Sequence, residues 1–305
     1  MKLLILVILG ITFIGLCIII KDPAHKAGSP FTIVCTTSML QNIIQNLVGP
    51  HARVIGLMGP GIDPHLYRAR ESDVRLLTHA NLIVFNGLHL EGKMSDILEK
   101  MNSYIPVINA SAHIPTKQLL DTEIEHMYDP HIWHDVSLWI QVVVSISNAI
   151  QELDPSHAID YQKYTEQYIA QLQQLHRYVQ QQIQRIPIEQ RVLVTAHDAF
   201  RYFGKVYNID VVGLQGTSTD AQISIKEVTD LATLISNKKI KALFAESCIP
   251  IRTILAVEHA VQAQGWSVAI GPELYADALG NNDEHAGTYI GMITHNVDAI
   301  VNALI

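Results

Sequence analysis

Between Pro155 and Pro187 the sequence carries one apolar stripe. Tyr161, Tyr164, Tyr168, Leu172, Leu175, Val179, Ile183 and Ile186 step by three and four through an otherwise polar, glutamine-rich segment. A proline is tolerated in the first turn of a helix and stops one further on, so the pattern predicts a single helix over residues 154–188. At ~1.5 Å per residue it reaches about 45 Å, long enough to span a molecule built of two lobes. Such a stripe can also form a coiled-coil dimer. Here it is short in heptads and puts tyrosine at the seam, which favours packing against the chain's own lobes, and the protein is read as a monomer.

On both sides of this helix, apolar runs alternate with amphipathic patterns. F-T-I-V-C-T-T, A-R-V-I-G-L-M, N-L-I-V-F-N-G and I-P-V-I-N-A precede it; R-V-L-V-T-A-H, V-V-G-L-Q-G, A-L-F-A-E-S and S-V-A-I-G-P follow it. Continuous apolar strands separated by helices indicate parallel sheets covered on both faces. The fold class expected is α/β, with two doubly wound parallel-sheet lobes joined by one long connecting helix. The expected boundaries are 29–153 for the N-terminal lobe, 154–188 for the helix and 189–305 for the C-terminal lobe. At 305 residues and 49% hydrophobic, the chain is long enough for each lobe to hold its own core. A stiff helical connection implies little closure of one lobe on the other.

Residues 1–28 read as a signal peptide or N-terminal anchor: Lys2, then an unbroken apolar run from Leu3 to Ile20. No clear small-residue cleavage site follows, and Leu16 precedes Cys17 where a lipidation signal wants a small residue, so cleavage, anchoring and lipidation stay open. The formal charge of −8, with 21 Lys+Arg against 29 Asp+Glu, offers no basic surface, and no phosphate-binding glycine loop or nucleic-acid module is present. Cys35 and Cys248 fall beside apolar strands of different lobes and are expected to be free thiols.

One unusual corner occurs twice. G-I-D-P-H-L-Y places His65 directly after Asp-Pro, and Y-D-P-H-I-W does the same for His131. Proline fixes its own φ and pushes the residue before it toward an extended conformation, so the imidazole sits on a stiffened loop. A single such corner usually only starts a loop. Both histidines, however, fall beyond the carboxyl ends of strands, where doubly wound sheets bind ligands. His197 in V-L-V-T-A-H and Asp277 in L-Y-A-D-A-L-G hold the matching positions in the second lobe. Three imidazoles and a carboxylate suit one divalent transition ion such as manganese, iron or zinc, held between the lobes. His134 is an alternative ligand; His79, His89, His157, His176 and His259 read as solvated or capping.

The same residues also admit an enzyme reading. H-E-x-x-H and G-x-S-x-G are absent. An exported zinc-dependent hydrolase using the same His/His/His/Asp set would need a general base, for which Glu246 is the candidate.

G-I-D-P-H-L-Y, D-P-H-I-W-H-D, V-T-A-H-D-A-F-R-Y-F, A-L-F-A-E-S, L-Y-A-D-A-L-G and T-Y-I-G-M-I-T-H-N, in this order and with the long helix between them, resemble the metal-binding solute-binding proteins of ABC importers for manganese, zinc and iron. The resemblance covers nearly all of the chain beyond its leader. It implies His65, His131, His197 and Asp277 as metal ligands, a non-catalytic periplasmic receptor, and delivery to an inner-membrane ABC permease driven by a cytoplasmic ATPase. Many members carry Glu in place of the third histidine and look manganese-selective, so His197 leans toward zinc or iron. Zinc-dedicated members carry a long His-rich loop, whereas residues 113–128 hold only His113 and His126. The two signals oppose each other and leave the ion open.

Overall fold

The computed structural model describes residues 30–122 and 124–305; the leader, its processing and Cys17 lie outside the described residues. The first four apolar runs form β1 (Phe31–Cys35), β2 (Ala52–Gly56), β3 (Leu82–Phe85) and β4 (Val107–Asn109), all parallel and ordered β2-β1-β3-β4. Period-two alternation sends Ile33 and Cys35 to one face and Val34 to the other. Helix α1 (Ser38–Val48) covers the first face; α2 (Glu71–Thr78) and α3 (Ser95–Asn102) cover the second through Leu77, Leu98 and Met101. Thr37 caps α1, its hydroxyl accepting the Leu40 N–H.

The long helix is α5 (Ala158–Ile183), entered through a 3-10 turn at Pro155–His157. Its buried stripe is the expected one, with Thr165 added and Tyr164 half-buried beside Gly49. Before it stands α4 (Val136–Leu153), which the sequence reading left unassigned. Apolar residues there occur too densely to show a clean period, although Asp135 marks its start by accepting the Ser137 and Leu138 N–H groups.

The second lobe repeats the first in topology. β5 (Val192–His197) pairs with β6 (Asp210–Gln215), β7 (Ala242–Leu243) pairs with β8 (Ala269–Ile270), and the Phe244 N–H donates to the Val194 carbonyl at 2.9 Å. The spatial order is therefore β6-β5-β7-β8, the counterpart of β2-β1-β3-β4. Helices α6 (Arg201–Tyr207), α7 (Ile225–Lys238), α8 (Arg252–Ala263) and α9 (Tyr289–Leu304) flank these strands.

Each lobe holds a core of its own, as its length allows, but a larger shared one is added. It runs from Ile33, Ile43 and Trp139 through Leu172 and Val179 of α5 to Phe203, Ile293 and Ile300. Both α4 and α9 join α5 in this layer. Cross-lobe hydrogen bonds reinforce it: Tyr289 N–H to Asn42 Oδ1 at 3.0 Å and Leu279 N–H to Ser38 Oγ at 2.9 Å. The lobes thus share a common apolar back, and their open side is the edge formed by the strand ends.

Candidate metal centre

In both sheets the chain leaves the first strand toward one edge and returns on its other side, so a crevice opens between β1 and β3 and between β5 and β7 at the carboxyl ends. His65 lies on the loop after β2, His131 after β4, His197 is the last residue of β5, and Asp277 follows β8. One ligand atom from each of these four residues lies within 4.8 Å of every other, and all four side chains are buried.

Local chemistry explains the two Asp-Pro-His corners. Asp63 Oδ1 accepts the His65 backbone N–H at 2.9 Å, and Asp129 Oδ1 accepts that of His131 at 3.0 Å. Each aspartate closes a turn across the proline. The second carboxylate does more, since Asp129 Oδ1 also accepts His131 Nδ1–H at 2.7 Å. Glu246 treats His197 in the same way, taking its backbone N–H on Oε1 at 3.0 Å and its ring Nδ1–H on Oε2. With the proton held on Nδ1, Nε2 of both rings presents a lone pair to the centre.

His65 Nε2 and His131 Nε2 are 3.2 Å apart. Asp277 Oδ2 lies 3.2 Å from His197 Nε2 and 3.7 Å from His65 Nε2, and Oδ1 lies 3.6 Å from His131 Nε2. Four donors about 2.05 Å from one zinc-sized ion would be about 3.3 Å apart, so these spacings fit. Neither Asp277 oxygen nor His197 Nε2 has a hydrogen-bond partner although all three atoms are buried. Buried acceptors converging without donors call for a cation.

The electrostatics agree. Burial pushes His65 down to about 3, which keeps its ring neutral. Burial opposes a charge on His197, but Glu246 and Asp277 outweigh it and raise its pKa well above the usual imidazole value. Burial would likewise raise Asp277, yet His197, His131 and His65 hold it well below the usual carboxylate range.

All four residues singled out in the sequence are brought together. The alternative ligand His134 is not: its Nε2 faces the Ala276 carbonyl at 3.1 Å and its ring stacks on Phe200. With Trp133 Nε1–H on the same carbonyl at 2.8 Å, it pins the Asp277 loop to the first lobe. Glu246 is no free general base, because both its oxygens are engaged by His197. The sequence reading missed Asp129 as a partner of His131, though it stands two residues before it. Cys35 and Cys248 are free thiols, as expected.

Residues 33–303 match the family model of the periplasmic zinc-uptake complex component A, ZnuA. The chain belongs to the ZnuA family of metal-binding periplasmic solute-binding proteins. It is 43% identical to the zinc-binding protein TroA of Treponema pallidum over 284 residues, 93% of this chain and 91% of that protein. It is 40% identical to the manganese-binding lipoprotein MntA of Bacillus subtilis, covering 93% of each. The solved structure of the periplasmic zinc-binding TroA superposes with a TM-score of 0.89, at 42% identity, over 90% of this chain and 99% of that one. The two-lobed α/β architecture with its long helix is therefore that of the ZnuA family.

Proposed function

We propose that this protein is the extracytoplasmic receptor of an ABC importer, and that His65, His131, His197 and Asp277 capture its cargo, one divalent transition ion. The observation that carries this reading is the buried Asp277 carboxylate, with both oxygens unpartnered and turned toward three imidazoles. One oxygen would complete a four-coordinate site and two a five-coordinate one, so the donor set accepts zinc, manganese or iron. TroA and MntA, nearly equal in identity to this chain, carry different metals in their names.

Residues 29–153 and 189–305 act as the two lobes around the 154–188 helix, and residues 1–28 direct export to the periplasm. The partner is a membrane permease with its ATPase; the protein works as a monomer, and neither nucleic acid nor catalysis is part of its role. With Glu246 committed to His197, the hydrolase reading loses the base named for it. Calorimetric titration of the metal-stripped protein with Zn²⁺, Mn²⁺ and Fe²⁺ tests the proposal: one site per chain supports it, and no binding of any of the three overturns it.

A further inference from the structure

The first lobe contains a buried carboxylate that the site described above does not use. Glu91, 3% exposed, accepts the Thr36 hydroxyl at 2.6 Å and the Asn86 N–H at 2.7 Å on Oε1, and the Gly87 N–H at 3.2 Å on Oε2. Thr36 follows β1 and Asn86 follows β3, so Glu91 ties together the ends of the two strands that flank the crevice. Glu246 holds the equivalent place in the second lobe, joining the end of β7 to His197 at the end of β5.

Two further observations connect Glu91 to the metal centre. The Asn86 side-chain amide donates to the Pro130 carbonyl at 3.0 Å, inside the Asp129-Pro130-His131 corner, and Thr36 accepts on its carbonyl the N–H of Met58, where the loop to His65 begins. The turn between Asn86 and Glu91 is also strained. Gly87, Leu88 and His89 all have positive φ, at 86°, 54° and 63°, and a side chain at Gly87 would collide with Asn109 and Ser111. Two consecutive non-glycine residues in the left-handed region persist only where their surroundings over-determine them. The Glu91 carboxylate, gripping the N–H groups of Asn86 and Gly87 at the start of this turn, supplies that constraint.

We propose that Glu91 is a positioning residue for the metal centre: by clamping the strained Asn86–Glu91 turn it aims the Asn86 amide at Pro130 and so sets the place of His131. It is the first-lobe counterpart of Glu246, but acts through Asn86 and Pro130 rather than on the histidine directly. This inference rests on the metal-receptor reading given above.

The test is a thermodynamic cycle on the full-length, metal-stripped protein, read as Zn²⁺ affinity under chelator competition together with the melting temperature of the ion-free form. Glu91→Gln keeps the shape but turns an amide donor onto a backbone N–H. It is expected to weaken Zn²⁺ binding about tenfold, the lower end of the effect of outer-shell partners. That loss disappears in a His131→Ala background and persists in a His197→Ala background. Asn86→Ala removes the tether to Pro130, together with a local bond to the Gly87 carbonyl, while leaving the Glu91 carboxylate in place; it should behave alike and serves where Glu91→Gln folds poorly. A loss equal in both backgrounds, or a lowered melting temperature with unchanged affinity, overturns the positioning role. Unchanged affinity in His131→Ala itself overturns the underlying site, a distinct failure.

Discussion

Asp129 Oδ1 accepts two hydrogen bonds from His131, the backbone N–H at 3.0 Å and the ring Nδ1–H at 2.7 Å. One carboxylate oxygen thus fixes the turn and the tautomer of the histidine it precedes. Asp129→Ala leaves the ring free to rotate and to move its proton to Nε2. Loss of such a partner typically costs 10–100-fold in metal affinity. Calorimetry should show a fall of about that size with one site per chain retained; an unchanged affinity would mean that proline and packing alone orient His131.

The lobes meet across the crevice through a second use of the other aspartate. Asp63 Oδ1 holds the His65 backbone, while its Oδ2 accepts the Thr219 hydroxyl from the second lobe at 2.6 Å, and Lys93 pairs with Asp220 beside it at 2.7 Å. Thr219→Val removes the cross-lobe bond and leaves His65, His131, His197 and Asp277 intact. Stopped-flow chelation should report metal release faster by about five- to tenfold, the loss of one ordinary net hydrogen bond, with one site per chain retained. An unaltered release rate would show that this contact does not gate the ion.

Because the main core is shared, the lobes should unfold together. Leu172, fully buried in α5, lies in that cluster. Leu172→Ala should cost about 2–5 kcal/mol, and denaturant curves of both wild type and variant should remain single transitions. Two separated transitions would contradict a common back. The same packing limits motion, so small-angle scattering should find ion-free and loaded forms nearly equal in radius of gyration.

Acid should weaken binding, since protons and the ion compete for the same lone pairs. Burial keeps His65 near 3 and out of this competition. His197 is different: burial opposes its charge, but Glu246 and Asp277 raise its pKa well above that of ordinary imidazole. The raised pKa favours a proton on Nε2, the atom whose lone pair would otherwise face the ion, so loading must expel that proton. Affinity should fall about tenfold per pH unit below neutrality, with about one proton released on binding. Titration in buffers of different ionisation enthalpy measures that proton count; a value near zero would contradict the assignment of His197.

Much of this was legible in the residues. The Tyr161-to-Ile183 stripe sits on α5, and the apolar runs become strands whose ends carry His65, His131, His197 and Asp277. Chemistry-bearing residues at strand ends can be read because sheet topology dictates where those ends meet. What escaped depended on tertiary partners. Helix α4 is apolar on too many positions to show a period, since Ile140 and the exposed Val144 add apolar residues outside its one buried stripe. The shared core could not be inferred from length, because nothing local says that α9 returns to Asn42 of α1. The chemistry of Glu246 alone makes it a candidate base for the alternative hydrolase reading; only the structure shows both its oxygens bonded to His197.

The central claim is that His65, His131, His197 and Asp277 hold one transition ion. Its most direct test is metal content per chain, by elemental analysis and native mass spectrometry, of protein reconstituted with Zn²⁺ or Mn²⁺ and desalted. Wild type and a His65→Ala/Asp277→Ala double variant are compared, with circular dichroism confirming that both are folded. The account predicts about one ion per chain in the wild type and none in the folded double variant. A folded double variant that still retains one ion would place the metal elsewhere and contradict it.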